Sequence, residues 1–175
     1  MVCGSADYEF EGTSLWEGFM ALKVGEHAPD FTAFTKPKEP FRMADHIGEQ
    51  PVVLLFVPMA FSSTCTREMC TVAEDYASYS NLGAQVFGIS VDSPYVNQKW
   101  AEECGAAFPI LSDFNKEATQ AYDVMRADLN GLKGVADRAV FVIDTSGKIT
   151  YAWVGEHPGV FPPLDEIKEA LRELR

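Results

Sequence analysis

The most continuous apolar stretch of the chain runs over residues 51–57 and is rich in Val and Leu. A run of that length without polar alternation predicts a central strand buried on both faces. Residues 85–91 repeat the pattern. Between them, residues 64–79 place Met69, Val72, Ala73 and Tyr76 on one stripe, which predicts an amphipathic helix. A short strand over 30–34 and a Pro-containing turn over 36–40 come first. Downstream the pattern predicts a helix over 96–103, a strand over 108–111 and a helical piece over 117–122. Two strands, 138–144 and 149–154, come next, joined by a hairpin turn at Thr145-Ser146-Gly147. An amphipathic helix over 164–174 ends the chain. Alternating strands and helices that close with a hairpin and a helix predict an α/β sandwich with a mixed central β-sheet flanked by helices.

A length of 175 residues suits one domain with a sizeable core. Residues 1–19 have no clear period and differ from the rest of the chain. They are expected to be a flexible N-terminal extension, an ordered edge strand being the alternative, with the domain proper over 20–175. That opening stretch holds Asp7, Glu9, Glu11 and Glu17 and no basic residue, unlike a secretory signal, so a cytoplasmic location is expected. The formal net charge of −12 argues against nucleic acid and anionic membrane surfaces as partners. The longest apolar run is too short to span a bilayer. An acidic surface favours solubility and would suit a salty cytoplasm, but it does not select a reaction.

Four cysteines, Cys3, Cys65, Cys70 and Cys104, are too few for a disulfide scaffold. Cys65 follows the most buried-looking strand, where open α/β sheets place their sites, and opens a helix whose candidate caps are Ser62, Ser63 and Thr64. Unpaired N–H groups and the helix dipole there favour an anion, so a depressed pKa and a nucleophilic thiolate are expected. A buried structural cysteine is the plainer reading of Cys65 alone. Pro58, which stiffens the approach, and Ser62, whose hydroxyl can hold a sulfur or a substrate oxygen, weigh against it.

Pro58, Ser62 and Cys65 together resemble the Pro-x-x-x-Thr/Ser-x-x-Cys signature of the peroxiredoxins, in its serine form. Three further segments are similar to that family: residues 24–32 (Val24-Gly25-Glu26-His27-Ala28-Pro29-Asp30-Phe31-Thr32), 108–113 (Phe108-Pro109-Ile110-Leu111-Ser112-Asp113) and 138–144, which begins with Arg138. The likeness covers roughly residues 20–155, in the family's order. Pro58-Met59-Ala60-Phe61 and Lys99-Trp100 resemble its AhpE-type branch. The resemblance implies a thioredoxin-like fold and a peroxidase needing no cofactor or metal. Cys65 would attack a hydroperoxide and become a sulfenic acid. Arg138 would stabilise the thiolate and the developing charge, Ser62 would orient the peroxide, Pro58 would shield the sulfur, and Glu68 would brace the arginine.

Five residues along an intact helix separate two Cα atoms by about 8.5 Å, beyond the roughly 7 Å a disulfide spans. A Cys65–Cys70 bond therefore needs the first turn to unwind, which a likeness to the Cys-x-x-x-x-Cys of the PrxQ branch implies. Cys70 is read either as that resolving cysteine or as a core residue of a one-cysteine enzyme. Cys104 is expected to be structural or a bystander rather than a resolving cysteine, and Cys3 to be inert. The resemblance implies thioredoxin, a glutaredoxin-like protein or a low-molecular-weight thiol as reductant, and a homodimer or larger assembly. Rival readings are weaker. A thioredoxin-type oxidoreductase needs Cys-x-x-Cys, which is absent. A structural zinc site needs four ligands, and no second Cys/His pair exists. A peroxide-sensing relay that keeps the same thiol stays open. His27, His46 and His157 are read as solvated turn residues.

Overall fold

The computed structural model describes residues 22–175. The extension expected over 1–19, with Cys3, lies outside the described residues. The strands are β1 (Thr32–Lys36), β2 (Glu39–Arg42), β3 (Val52–Phe56), β4 (Gln85–Ser90), β5 (Ile110–Ser112), β6 (Met125–Arg126), β7 (Val135–Ala136), β8 (Ala139–Ile143) and β9 (Ile149–Val154). The helices are α1 (Ser63–Glu74), α2 (Tyr76–Asn81), α3 (Pro94–Cys104), α4 (Glu117–Ala121) and α5 (Leu164–Arg172). Seven strands form one sheet in the order β2-β1-β5-β4-β3-β8-β9. β3 pairs parallel with β4 and antiparallel with β8, so the sheet is mixed, as the pattern predicts.

β3 is buried throughout, and its side chains divide between two cores. Val52, Leu54 and Phe56 join Phe31, Phe87, Tyr122 and Phe141 on one face. Val53, Leu55 and Val57 join Met69, Val72, Trp100, Ile167 and Leu171 on the other, under α1, α3 and α5. Period-two alternation thus exists inside a strand that reads as uniformly apolar, because both faces are covered. Gly88 on β4 lets α1 sit close. A Cβ there would stand 3.0 Å from Met69 Sδ and 3.2 Å from Ile110 Cγ1.

Several elements differ from the sequence pattern, among them strands β6 and β7, which it does not predict. The predicted helix over 64–79 breaks at Asp75 into α1 and α2, where Asp75 accepts from Ser78 Oγ and from Lys168 Nζ. The turn expected over 36–40 is shorter: Pro37 and Lys38 turn the chain and β2 begins at Glu39. Pro40 is tolerated because β2 is the edge of the sheet. Helix α3 starts at Pro94 rather than 96, since Ser93 caps it through Val96 N and Pro suits the first helical position.

Candidate active site

Register brings the site together. Phe56 at the end of β3 pairs with Ala139 at the start of β8, so Arg138 arrives beside the loop that leaves β3. That loop is tied down by its backbone. Val57 N donates to Ile89 O at 2.9 Å, and Ala60 N to Asp92 Oδ2 at 2.7 Å. Asp92 itself accepts from Ser90 Oγ at 3.0 Å. Phe61 takes a left-handed backbone (φ 61°), which swings the chain into α1.

Ser62 holds the N-cap position with extended backbone, but its hydroxyl donates to Met59 O at 3.0 Å instead of capping. No side chain caps this helix start, which leaves first-turn N–H groups free for an anion. Cys65 lies in this first turn, 1% exposed. Among the described residues it is the free cysteine. Its sulfur is 3.2 Å from Arg138 Nη2. The guanidinium is fully buried. It donates through Nε and Nη2 to Pro158 O, at 3.2 and 2.8 Å, and through Nη1 to Glu68 Oε2.

Glu68 is fully buried, and its Oε1 has no partner. Burial pushes its carboxyl up to about 7, against the opposing pull of Arg138. One buried cation therefore lies between two groups that can each be anionic. Pro58, Ser62, Cys65 and Arg138 line one pocket of about 230 Å³, together with Met59, Leu129 and Pro158 among others. Glu68 touches this group through Arg138. The Pro158 carbonyl is a partner of Arg138 that sequence reasoning missed; only the Pro158-Gly159 turn marks the place.

Cys70 lies elsewhere. It forms a disulfide with Cys104 at the end of α3, with Cα atoms 4.6 Å apart. In this state Cys70 is joined to Cys104 and not to Cys65, and Cys104, expected to be structural or a bystander, is its bonded partner. The physical reason is the one that opposed a Cys65–Cys70 bond. Helix α1 is intact over both residues, which keeps their sulfurs apart, while α3 crosses beside α1. Trp100 of α3 is buried there and donates from Nε1 to Thr66 Oγ1 at 3.2 Å. Cys104 Sγ is 3.9 Å from Thr66 O. Of the histidines, His46 is not a free turn residue: it stacks on Phe41 and its Nδ1 is 2.8 Å from Gln85 Oε1.

The AhpC/TSA family model matches residues 24–152, most of the chain. The chain belongs to the AhpC/TSA family, the peroxiredoxins. It is 35% identical over 133 residues to alkyl hydroperoxide reductase E of Mycobacterium tuberculosis, covering 75% of this chain and 84% of that one. It is 33% identical over 145 residues to a chloroplastic 2-cysteine peroxiredoxin of Chattonella marina var. antiqua, covering 77% and 72%. The fold is shared with a peroxiredoxin-like protein from Aquifex aeolicus (TM-score 0.79, 27% identity, 89% of this chain and 90% of that chain). It is likewise shared with peroxidoxin BcpB from M. tuberculosis (TM-score 0.77, 29% identity, 88% and 99%). This peroxiredoxin has the thioredoxin-like α/β fold and is a thiol-dependent peroxidase. Among the described residues, no helix is long and apolar enough to cross a membrane.

Proposed function

We propose that Cys65 is the sulfur that reduces hydrogen peroxide and organic hydroperoxides. The thiolate attacks the terminal peroxide oxygen, the O–O bond breaks, and water or an alcohol leaves after taking up a proton. Cys65 becomes a sulfenic acid. Arg138 and the first-turn N–H groups of α1 offer donors to the oxygens as charge develops. The Ser62 hydroxyl orients the peroxide, Pro58 keeps bulk water from the sulfur, and Glu68 braces the guanidinium. The supporting observation is the 3.2 Å contact between Arg138 Nη2 and Cys65 Sγ at an uncapped helix start. The reductant is a thioredoxin, a glutaredoxin-like protein or a small thiol. The enzyme works in the cytoplasm as a homodimer or larger homo-oligomer.

Two routes of resolution depend on the state of Cys70. Free, Cys70 attacks the Cys65 sulfenic acid and forms an intramolecular disulfide. Bonded to Cys104, it offers no thiol, and an external one must act. The decisive experiment is peroxide consumption by Cys65→Ser with a sulfenic-acid probe on the parent enzyme. The variant should be inert and the probe should label Cys65. Consumption at the parent rate would remove Cys65 from the reaction.

A further inference from the structure

We propose that Cys70 and Cys104 are a second redox pair, which takes the oxidising equivalent from Cys65 and presents it to the reductant. The proposal rests on the reading of Cys65 as the peroxide-reactive sulfur.

The chemistry balances in two exchanges. The Cys70 thiol attacks the Cys65 sulfenic acid, forming a Cys65–Cys70 disulfide and releasing water. The Cys104 thiolate then attacks Cys70 Sγ, forming the Cys70–Cys104 disulfide and expelling Cys65 as a thiolate. An external dithiol, or two monothiols, later reduces the new bond and is itself oxidised. The net oxidant is the peroxide.

Three observations carry this sequence. First, the second exchange runs downhill in structure. A Cys65–Cys70 bond cannot coexist with an intact first turn of α1, because the helical separation of about 8.5 Å exceeds disulfide reach. A Cys70–Cys104 bond coexists with the whole helix, as the structure records. Passing the bond to Cys104 lets the first turn re-form and returns Cys65 to Arg138 Nη2.

Second, the start of α1 lacks the side-chain cap that would hold its first turn closed. The preceding Phe61 is exposed in a left-handed conformation. Cys70 lies more than a turn beyond Cys65, with its Cα 4.6 Å from that of Cys104, so Cys104 stays beside it once the Trp100–Thr66 hydrogen bond gives way and the first turn opens.

Third, the two sulfur sites differ in access. Cys65 is 1% exposed, within reach of a small peroxide and hidden from a bulky thiol. Cys70 and Cys104 are half-buried, and Gly105 beside Cys104 is exposed with open space around it. The bond is also not required to finish α3. The helix already ends through Gly105 N to Glu102 O at 3.1 Å and Ala106 N to Ala101 O at 2.9 Å.

The test is single-turnover mass spectrometry on the fully reduced, desalted enzyme. After one equivalent of hydrogen peroxide the parent should hold a Cys70–Cys104 disulfide, with Cys65 free to alkylate. It should then consume a second equivalent without reductant. Cys104→Ser should stop at Cys65–Cys70 after one equivalent, and Cys70→Ser should stop at the Cys65 sulfenic acid. In Cys65→Ser the 70–104 bond should form at least about 100-fold more slowly, since peroxide then has only less activated thiols to oxidise. A parent that stops after one equivalent with Cys70 and Cys104 still alkylatable, or with Cys65–Cys70 as its end product, overturns the relay. So does pair formation in Cys65→Ser at the parent rate. A Cys65–Cys104 bond in Cys70→Ser overturns the order of attack. If Cys65→Ser consumes peroxide normally, the reading of Cys65 itself has failed; if it is inert while the parent pair stays reduced, only the relay has.

Discussion

Arg138→Ala removes the only cation in contact with Cys65 and Glu68 among the described residues, and its cost should depend on pH in a defined way. Truncating one partner of a buried ion pair typically costs about 3–5 kcal/mol, because a carboxylate is left in a dry interior. That is the expectation near pH 8. Burial already holds the Glu68 carboxyl at about 7 with Arg138 present, and it must rise further without the cation. A carboxyl raised above its unfolded value binds protons more tightly in the native state, so its contribution to stability falls as pH rises from about 4.5 to about 7. Going from pH 8 to pH 6, a group at about 7 gains about 1.4 kcal/mol, and one raised further gains more, up to about 2.7 kcal/mol over this range. The destabilisation by Arg138→Ala should therefore shrink by about 1 kcal/mol on acidification across this range. Urea unfolding of parent and variant near both pH values measures it, and other titrating groups cancel in the difference. A gap that stays constant or widens at the lower pH would show that Glu68 does not carry the unpaired charge. Loss of a donor at the reacting oxygens should also slow peroxide reduction by about 10²–10³-fold.

Two other perturbations test the frame around this site. Reducing the Cys70–Cys104 bond opens a loop of 34 residues and should lower the unfolding free energy by about 4 kcal/mol, on the chain-entropy account. Thermal melts of Cys65→Ser with and without reductant would show it, and an unchanged melting temperature would refute it. Asp92→Ala frees Ala60 N from the carboxylate that fixes the loop before Ser62. Peroxide reduction should fall by about tenfold with Cys65 chemistry otherwise intact, since a loosened loop misplaces the reacting groups. Stopped-flow rates at saturating reductant are the measure, and a parent-like rate would assign Asp92 to folding alone.

The two central strands and the helix that begins near Cys65 were legible because their signals are local. A seven-residue apolar run, a loop with Pro58 and Ser62, and a stripe through Met69 and Val72 need no distant partner to be read. The break at Asp75 was not legible, since it depends on Lys168, far away in sequence. Strands β6 and β7 are two residues each, too short to show a period. Cys104 failed for the same reason as Asp75. Its partner is set by how Trp100 seats α3 against Thr66, a packing relation that leaves no mark in cysteine spacing. Arg138 was legible only through its motif, because one arginine ahead of an apolar strand reads equally well as a surface residue. The pairing of β3 with β8 is what brings it indoors.

Burial of Arg138 and Glu68 together also bears on why the sulfur is placed where it is. A guanidinium fully satisfied by a carboxylate would have little left to offer a thiolate, and an isolated one would be costly to bury. Glu68 resolves the conflict by sitting where burial keeps its carboxyl near neutrality, with one oxygen on Arg138 and the other without a partner. When Glu68 is protonated, the single positive charge falls to the sulfur and to oxygens arriving on a peroxide. When it ionises, the cation is shared and the sulfur's hold weakens. If Cys65 is the reacting sulfur, the pair would act as a reservoir of positive charge, buried without full neutralisation and drawn toward Cys65 as negative charge develops there. Glu68→Gln, which keeps the shape and fixes the neutral form, would then preserve peroxide reactivity while removing its dependence on pH near 7.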